Sequence, residues 1–179
     1  MRLDQIVNQP VIEAERFTLR PVRRSDSGLL NMHASDSRVA TQTRSLPHPL
    51  PPGATDAFVE RSMSETRTED VWVIDGSISG GSEVMGTMSL TPMDRSQAEI
   101  AYWVAPAFWN SGLASEAVRS MIAANPHDDS AFFASVFQDF PASALVLTIA
   151  VLDYFGDADS FSVALNANVP TWTYILKLS

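Results

Sequence analysis

The chain has no cysteine, which excludes disulfides, a thiolate metal site and a cysteine nucleophile together. Long apolar runs are missing too. None approaches the roughly 18 residues that cross a bilayer, and the opening "MRLDQIVNQP" lacks the apolar core of a signal peptide. The expectation is a cytoplasmic protein with no membrane partner. Basic residues are scarce in the second half. Of the 12 Lys and Arg, only Arg119 and Lys177 follow Arg95, and residues 120–176 hold none, although that stretch carries Asp128, Asp129, Asp139, Asp153, Asp157 and Asp159. The net charge is −9, so no nucleic-acid partner is expected, because phosphate-backbone binding relies on clustered Lys and Arg. The acidic half reads first as a solvated surface and second as an attraction for a cationic substrate. His33, His48 and His127 lack ligand spacing, and no metal site is expected.

What is present fits one α/β domain over residues 1–179. A hydrophobic fraction of 45% with 18% charged residues is ordinary for a folded chain, and the length allows one core. In "RFTLRPV", Phe17, Leu19 and Pro21 alternate with Thr18 and Arg20 at a strand's period of two, with Pro21 marking an edge or an end. Ser25 or Asp26 can cap a short helix in "SDSGLLNMHAS". Pro47, Pro49, Pro51 and Pro52 force an extended loop before a helix that starts near Thr55 or Asp56 and runs through Phe58, Val59 and Met63. "VWVID", "EVMGTMSL" and "AEIAYWV" then read as an antiparallel meander, separated by turn-formers. The helix "ASEAVRSMIAA" puts Ala114, Ala117, Val118, Met121 and Ile122 on one face. "SAFFASVF" follows as a buried strand, "PASALVLTIAVL" as a helix from Pro141, and "TWTYILKL" as a last strand. The expected architecture is a mixed, mostly antiparallel sheet flanked by helices.

One turn carries chemistry. In "FWNSGLASEA" a strand's end meets a helix's start with a single glycine between them. Such a turn leaves several backbone N–H groups unpaired and parallel, and with the helix dipole they can hold an anion without a basic side chain. It is neither a P-loop nor a three-glycine dinucleotide fingerprint. On its own the pattern is also compatible with an ordinary strand-to-helix turn.

The longer stretch "AEIAYWVAPAFWNSGLASEAVRSMI" resembles the central motif of the GNAT superfamily of acyl-CoA-dependent N-acetyltransferases, particularly the branch of ribosomal-protein N-terminal acetyltransferases. Tyr102, Trp103 and Val104 match that branch's strand, Phe108 and Trp109 its aromatic loop, Gly112 and Ala114 its turn, and Ser115, Glu116 and Ala117 its helix start. "RFTLRPVRRSD", "LPHPLPPGATDAFV" and "VMGTMSL" fit the family's first strand, proline loop with helix, and middle strand. The resemblance implies acetyl-CoA or coenzyme A as cofactor. Its pyrophosphate would lie on the amides of Asn110, Ser111, Gly112, Leu113, Ala114 and Ser115, and its pantetheine would run along Tyr102, Trp103 and Val104. It also implies acetyl transfer to a primary amine, on a protein N-terminus or a small molecule, in a ternary complex.

Transfer to an amine needs a base, because an α-amine titrates near 8 and a lysine near 10.4. It needs donors for a developing oxyanion and a proton for the departing thiolate. The resemblance points to Glu99 as base; without it, a solvated strand charge is the reading. The Val104 amide is the expected oxyanion donor. Ser143 in "FPAS" matches the serine proposed as acid in the ribosomal branch, and it can equally be a helix-start hydroxyl bonding a backbone amide. Glu116 reads as a first-turn carboxylate with a structural role.

The chain departs from the family pattern in one segment. Phe140 stands where an Asn bonds the cofactor, Leu145 and Ile149 replace commonly basic residues, and Val151-Leu152 replaces a Gly-Phe pair. These changes leave a helix apolar nearly all round, which is usually a buried one. They keep open an alternative: a non-catalytic acyl-CoA-binding or interaction module. "TWTYILKL" reads as an edge strand, which could pair across a possible homodimer.

Overall fold

The computed structural model describes residues 9–178; most of the stretch read above for a signal peptide lies outside them. One eight-stranded sheet organises the chain in the order β1-β2-β3-β4-β5-β6-β8-β7. It comprises β1 (Ile12–Glu13), β2 (Thr18–Pro21), β3 (Asp70–Asp75), β4 (Gly86–Met93), β5 (Gln97–Val104), β6 (Ala131–Phe137), β7 (Asp153–Ser162) and β8 (Ala167–Lys177). Helices α1 (Ser27–Ala34), α2 (Ser37–Ala40), α3 (Ala54–Met63), α4 (Leu113–Ala124) and α5 (Pro141–Ile149) complete it. Every pairing is antiparallel except β5 with β6. The mixed, mostly antiparallel sheet expected from the sequence is the one observed.

Because strand side chains alternate between faces, the sheet has two packed sides. On one, Leu90, Ile100 and Val104 meet Leu113, Ala117, Val118 and Met121 of α4 and Ala144 and Leu147 of α5. On the other, Val71 and Val73 meet Leu30 of α1 and Val59 of α3, with Trp103 packed against them. Each fully buried aliphatic side chain contributes roughly 1.5–3 kcal/mol. A buried ionic knot ties the first strands together. Arg20 Nε donates to Asp75 Oδ2 at 2.7 Å, and its Nη1 and Nη2 donate to Asp26 at 2.9 and 2.7 Å. Asp26 is the residue before α1, as its cap pattern suggested, but its side chain serves Arg20 and the Arg23 amide rather than the helix.

Three expectations are corrected. "TWTYILKL" is not an edge: β8 lies between β6 and β7, and β7 is the outer strand. The reason is a long hairpin, β7 to β8, whose first strand is exposed along most of its length and therefore shows no core-facing alternation. Helix α5 is not buried all round, since Leu145 and Ile149 are 60% and 50% exposed. Ser143 does not cap it: Phe140 is the cap residue, and no side chain bonds a first-turn amide there.

Candidate functional site

The sheet opens at Glu99. β5 and β6 pair in parallel at only three positions, Gln97↔Ala131, Ala98↔Phe132 and Glu99↔Phe133, and beyond Glu99 they diverge. The gap is the mouth of a cavity of about 690 Å³ lined by Glu99 to Trp103 on one side and Ala134 to Phe137 on the other. Main-chain directions in the gap follow from the ladder. Ala105 N donates to Met85 O at 2.9 Å, and antiparallel bonding repeats every second residue. Trp103, Ala101 and Glu99 therefore turn their amides to β4; Ile100 turns its amide to the last pairing with β6, and Val104 and Tyr102 turn theirs into the gap. The Val104 carbonyl is taken by the indole N–H of Trp109 at 2.7 Å.

Side chains divide the same residues by face. Glu99 and Trp103 lie on the side of α1 and α3, where Glu99 is paired with Arg44 from the segment between α2 and α3. Tyr102 lies on the α5 side and donates its hydroxyl to Ser143 O at 3.2 Å. Burial pushes the Tyr102 phenol well above its ordinary range, so it stays a neutral donor. Ser143 and Phe140 are both among the residues that border the cavity.

The turn before α4 lies at the far end of β5. Asn110 (φ +58°) and Gly112 (φ +78°) both adopt left-handed backbone on either side of Ser111, a concave arrangement of successive amides that suits an anion. The first helical bond runs from Glu116 N to Gly112 O at 3.0 Å, so the amides of Leu113, Ala114 and Ser115 precede the helical ladder. Leu113 and Ser115 are buried, and what they offer a ligand is main chain. Arg16 braces the turn from outside the motif. Its Nε donates to Glu116 Oε1 at 2.7 Å and its Nη1 to Ser111 O at 2.9 Å, which gives Glu116 the structural role read from its position. A β-carbon on Gly112 would meet only Arg16 Nη2, at 3.5 Å. A phosphate-bearing cofactor fits this place: free amides at the turn lead along the outward-facing main chain of β5 into the gap.

Sequence reasoning missed Arg44, Arg61 and Arg16, because each comes from an element distant in sequence from the strand or turn it serves. Arg44 and Arg61 line the cavity with Glu99 and Glu69. Among the described residues, no group of three or more acidic or histidine side chains could hold a metal ion, and no helix is long and apolar enough to cross a membrane.

A family model described as "Acetyltransferase (GNAT) domain" matches residues 16–148. No curated protein matches the sequence. Among solved structures, an acetyltransferase of the GNAT family from Bacillus anthracis superposes with a TM-score of 0.77 at 18% identity, covering 94% of this chain and 98% of that one. An acetyltransferase from Salmonella typhimurium that modifies the N-terminal serine of ribosomal protein L7/L12 gives 0.78 at 15% identity, covering 95% and 100%. Spermidine N-acetyltransferase from Vibrio cholerae, in complex with coenzyme A and spermine, gives 0.75 at 12% identity, covering 90% and 95%.

Proposed function

The chain belongs to the GNAT acetyltransferase family, and on that premise we propose that it transfers an acetyl group from acetyl-CoA to a primary amine in a ternary complex. The observation that carries this reading is the parting of β5 from β6 immediately after Glu99. This parting supports the reading because Glu99, the outward-facing main chain of β5 and Ser143 all border the opening it leaves.

Bound at the turn and along β5, acetyl-CoA supplies the acetyl group as an activated thioester. The amides from Asn110 to Ser115 hold its phosphates, and the outward-facing groups of Tyr102 and Val104 position its pantetheine arm; Trp103 contributes its indole to the cavity wall. On the α1–α3 side, the Glu99 carboxylate accepts the proton of the amine. An outward-facing amide of β5 on the Glu99 side of Val104 donates to the oxygen that becomes negative. On the α5 side, the Ser143 hydroxyl gives a proton to the departing sulfur, with Tyr102 beside it fixing the start of α5. Base and acid thus stand on opposite faces of the sheet.

Calorimetric titration with acetyl-CoA, repeated on Gly112→Glu, tests the cradle. The substitution forces a side chain onto a left-handed residue and adds a negative charge beside the free amides. Binding by the parent and at least tenfold weaker binding by the variant, with unchanged circular dichroism, is the expected result. Release of free thiol in the presence of amines then separates an enzyme from a binding module on the same fold.

A further inference from the structure

The cavity's charged lining consists of four side chains, Arg44, Arg61, Glu69 and Glu99. Two cations face two anions, although the whole chain carries −9. Arg44 and Glu99 are in direct contact, and Glu69 accepts from Thr91 Oγ1 at 3.2 Å. Arg61 makes no ion pair among the described residues. Arg44 is also held in place by its main chain, whose carbonyl accepts from Val163 N at 3.0 Å. This bond fastens the α2–α3 segment to the turn of the β7–β8 hairpin and so roofs the cavity.

The Arg44–Glu99 pair has a chemical consequence. The carboxylate that an incoming amine needs is already engaged, and a bare amine would have to displace the guanidinium with nothing to offer it. A ligand that presents an anion to Arg44 while presenting its amine to Glu99 exchanges one ion pair for two. Since the two side chains touch, the ligand's opposite charges must lie as close together as they do in an α-amino acid. A zwitterion also leaves a cavity of zero net charge neutral, whereas a polycation would set its second charge against Arg44 or Arg61. Thr171, one of the residues lining the cavity, has a buried Oγ1 with no hydrogen-bond partner. Leu46, Leu50, Phe58 and Phe161 supply apolar wall.

We propose that the acceptor is an α-amino carboxylate with an apolar side chain, and that Arg44 is the specificity-determining residue that takes its carboxylate and frees Glu99 for the amine. The proposal rests on the acetyltransfer reading above. A guanidinium grips a carboxylate through two parallel hydrogen bonds, which an ammonium cannot copy.

The test uses three probes that differ only beside the amine: L-phenylalanine, L-phenylalaninamide and phenethylamine. Each is titrated calorimetrically into the full chain, with and without coenzyme A. L-phenylalanine should bind at least tenfold tighter than the other two. Arg44→Gln should abolish that preference by weakening L-phenylalanine, while the two neutral-ended probes, no longer competing with the guanidinium for Glu99, bind as well as before or tighter, and Arg44→Lys should recover part of the preference. Equal affinities for the three probes, no binding by any of them, or an Arg44→Gln variant that weakens all three alike would overturn the proposal. Thiol release from acetyl-CoA is followed in parallel. Selective phenylalanine binding without thiol release would sink the acetyltransfer reading and keep the zwitterion site. Acetylation of phenethylamine with the same kcat/KM as phenylalanine would do the reverse.

Discussion

Val151 follows the last turn of α5 with φ +67°, a conformation that costs a non-glycine residue roughly 1–2 kcal/mol. The helix closes there through Leu152 N to Leu147 O at 2.9 Å and Val151 N to Thr148 O at 3.0 Å, a C-terminal arrangement that favours glycine. The valine side chain is 67% exposed and contributes little burial to offset the strain. Val151→Gly should therefore stabilise the protein by about 1 kcal/mol and raise its Tm by about 2–4 °C. An unchanged or lower Tm in thermal denaturation would refute the strain argument. The sequence marked this place only through the Gly-Phe pair that the family pattern has at Val151-Leu152; hydropathy is blind to φ. Glu99 was legible in the same way, as an acidic residue on the strand beside the turn. Its partner was not, because Arg44 lies in an irregular segment whose path no periodicity describes.

At the scale of elements, the β4–β5 ladder depends on Gly86. A β-carbon there would stand 2.1 Å from Trp103 O and 2.9 Å from Val104 Cα, both main-chain atoms of the strand that lines the gap. Gly86→Ala must move β5, and a loss of about 3 kcal/mol or more is expected. Acetyl-CoA binding should weaken with it; a variant with parental Tm and binding would show that the strands yield freely. The Arg20 knot is a second element-scale device. Burial alone would raise the Asp75 carboxyl, but hydrogen bonds from Arg20 and Ser77 outweigh it and hold the group below its ordinary value. A carboxyl lowered in the folded state adds stability above its unfolded value near 3.9, and that stability is lost as pH falls through the folded value. Asp75→Asn should thus cost about 3 kcal/mol at pH 7 and flatten the fall of Tm with pH below about 4. An acid limb as steep as the parent's would place the linkage elsewhere. Strands with one buried face, such as β3 to β5, and the amphipathic α4 were readable from their periods. β7 was not, since both its faces are largely solvated and Asp153, Asp157 and Asp159 stand where a core strand has apolar residues. The four-residue α2 is too short to leave a period at all.

For the whole molecule, the parting of the sheet is the central fact, because it joins two halves through three paired positions of β5 and β6. One half carries the turn and most of the meander; the other carries α5 and the long hairpin. The last bond of the parallel ladder is the one the Glu99↔Phe133 pairing places from the Ile100 amide to β6; beyond it no pairing crosses the gap, and the amides of Tyr102 and Val104 that face it are left to water. A cofactor arm lying in the gap would act as an additional strand: it would pair those amides and draw the halves into one cooperative unit. Two consequences are measurable. At a concentration of acetyl-CoA about 100-fold above its Kd, stability should rise by about 2.7 kcal/mol, or roughly 5–11 °C in Tm for a chain of this size. Hydrogen exchange should slow at Tyr102 and Val104 on adding the cofactor, while Ile100, already bonded to β6, and Ala101 and Trp103, already bonded to β4, change much less. Uniform protection along β5 would mean that the cofactor stabilises the fold as a whole without lying against this strand. Alternating protection, restricted to the residues whose amides face the gap, would locate the arm between β5 and β6, with Glu99 on one face of it and Ser143 on the other.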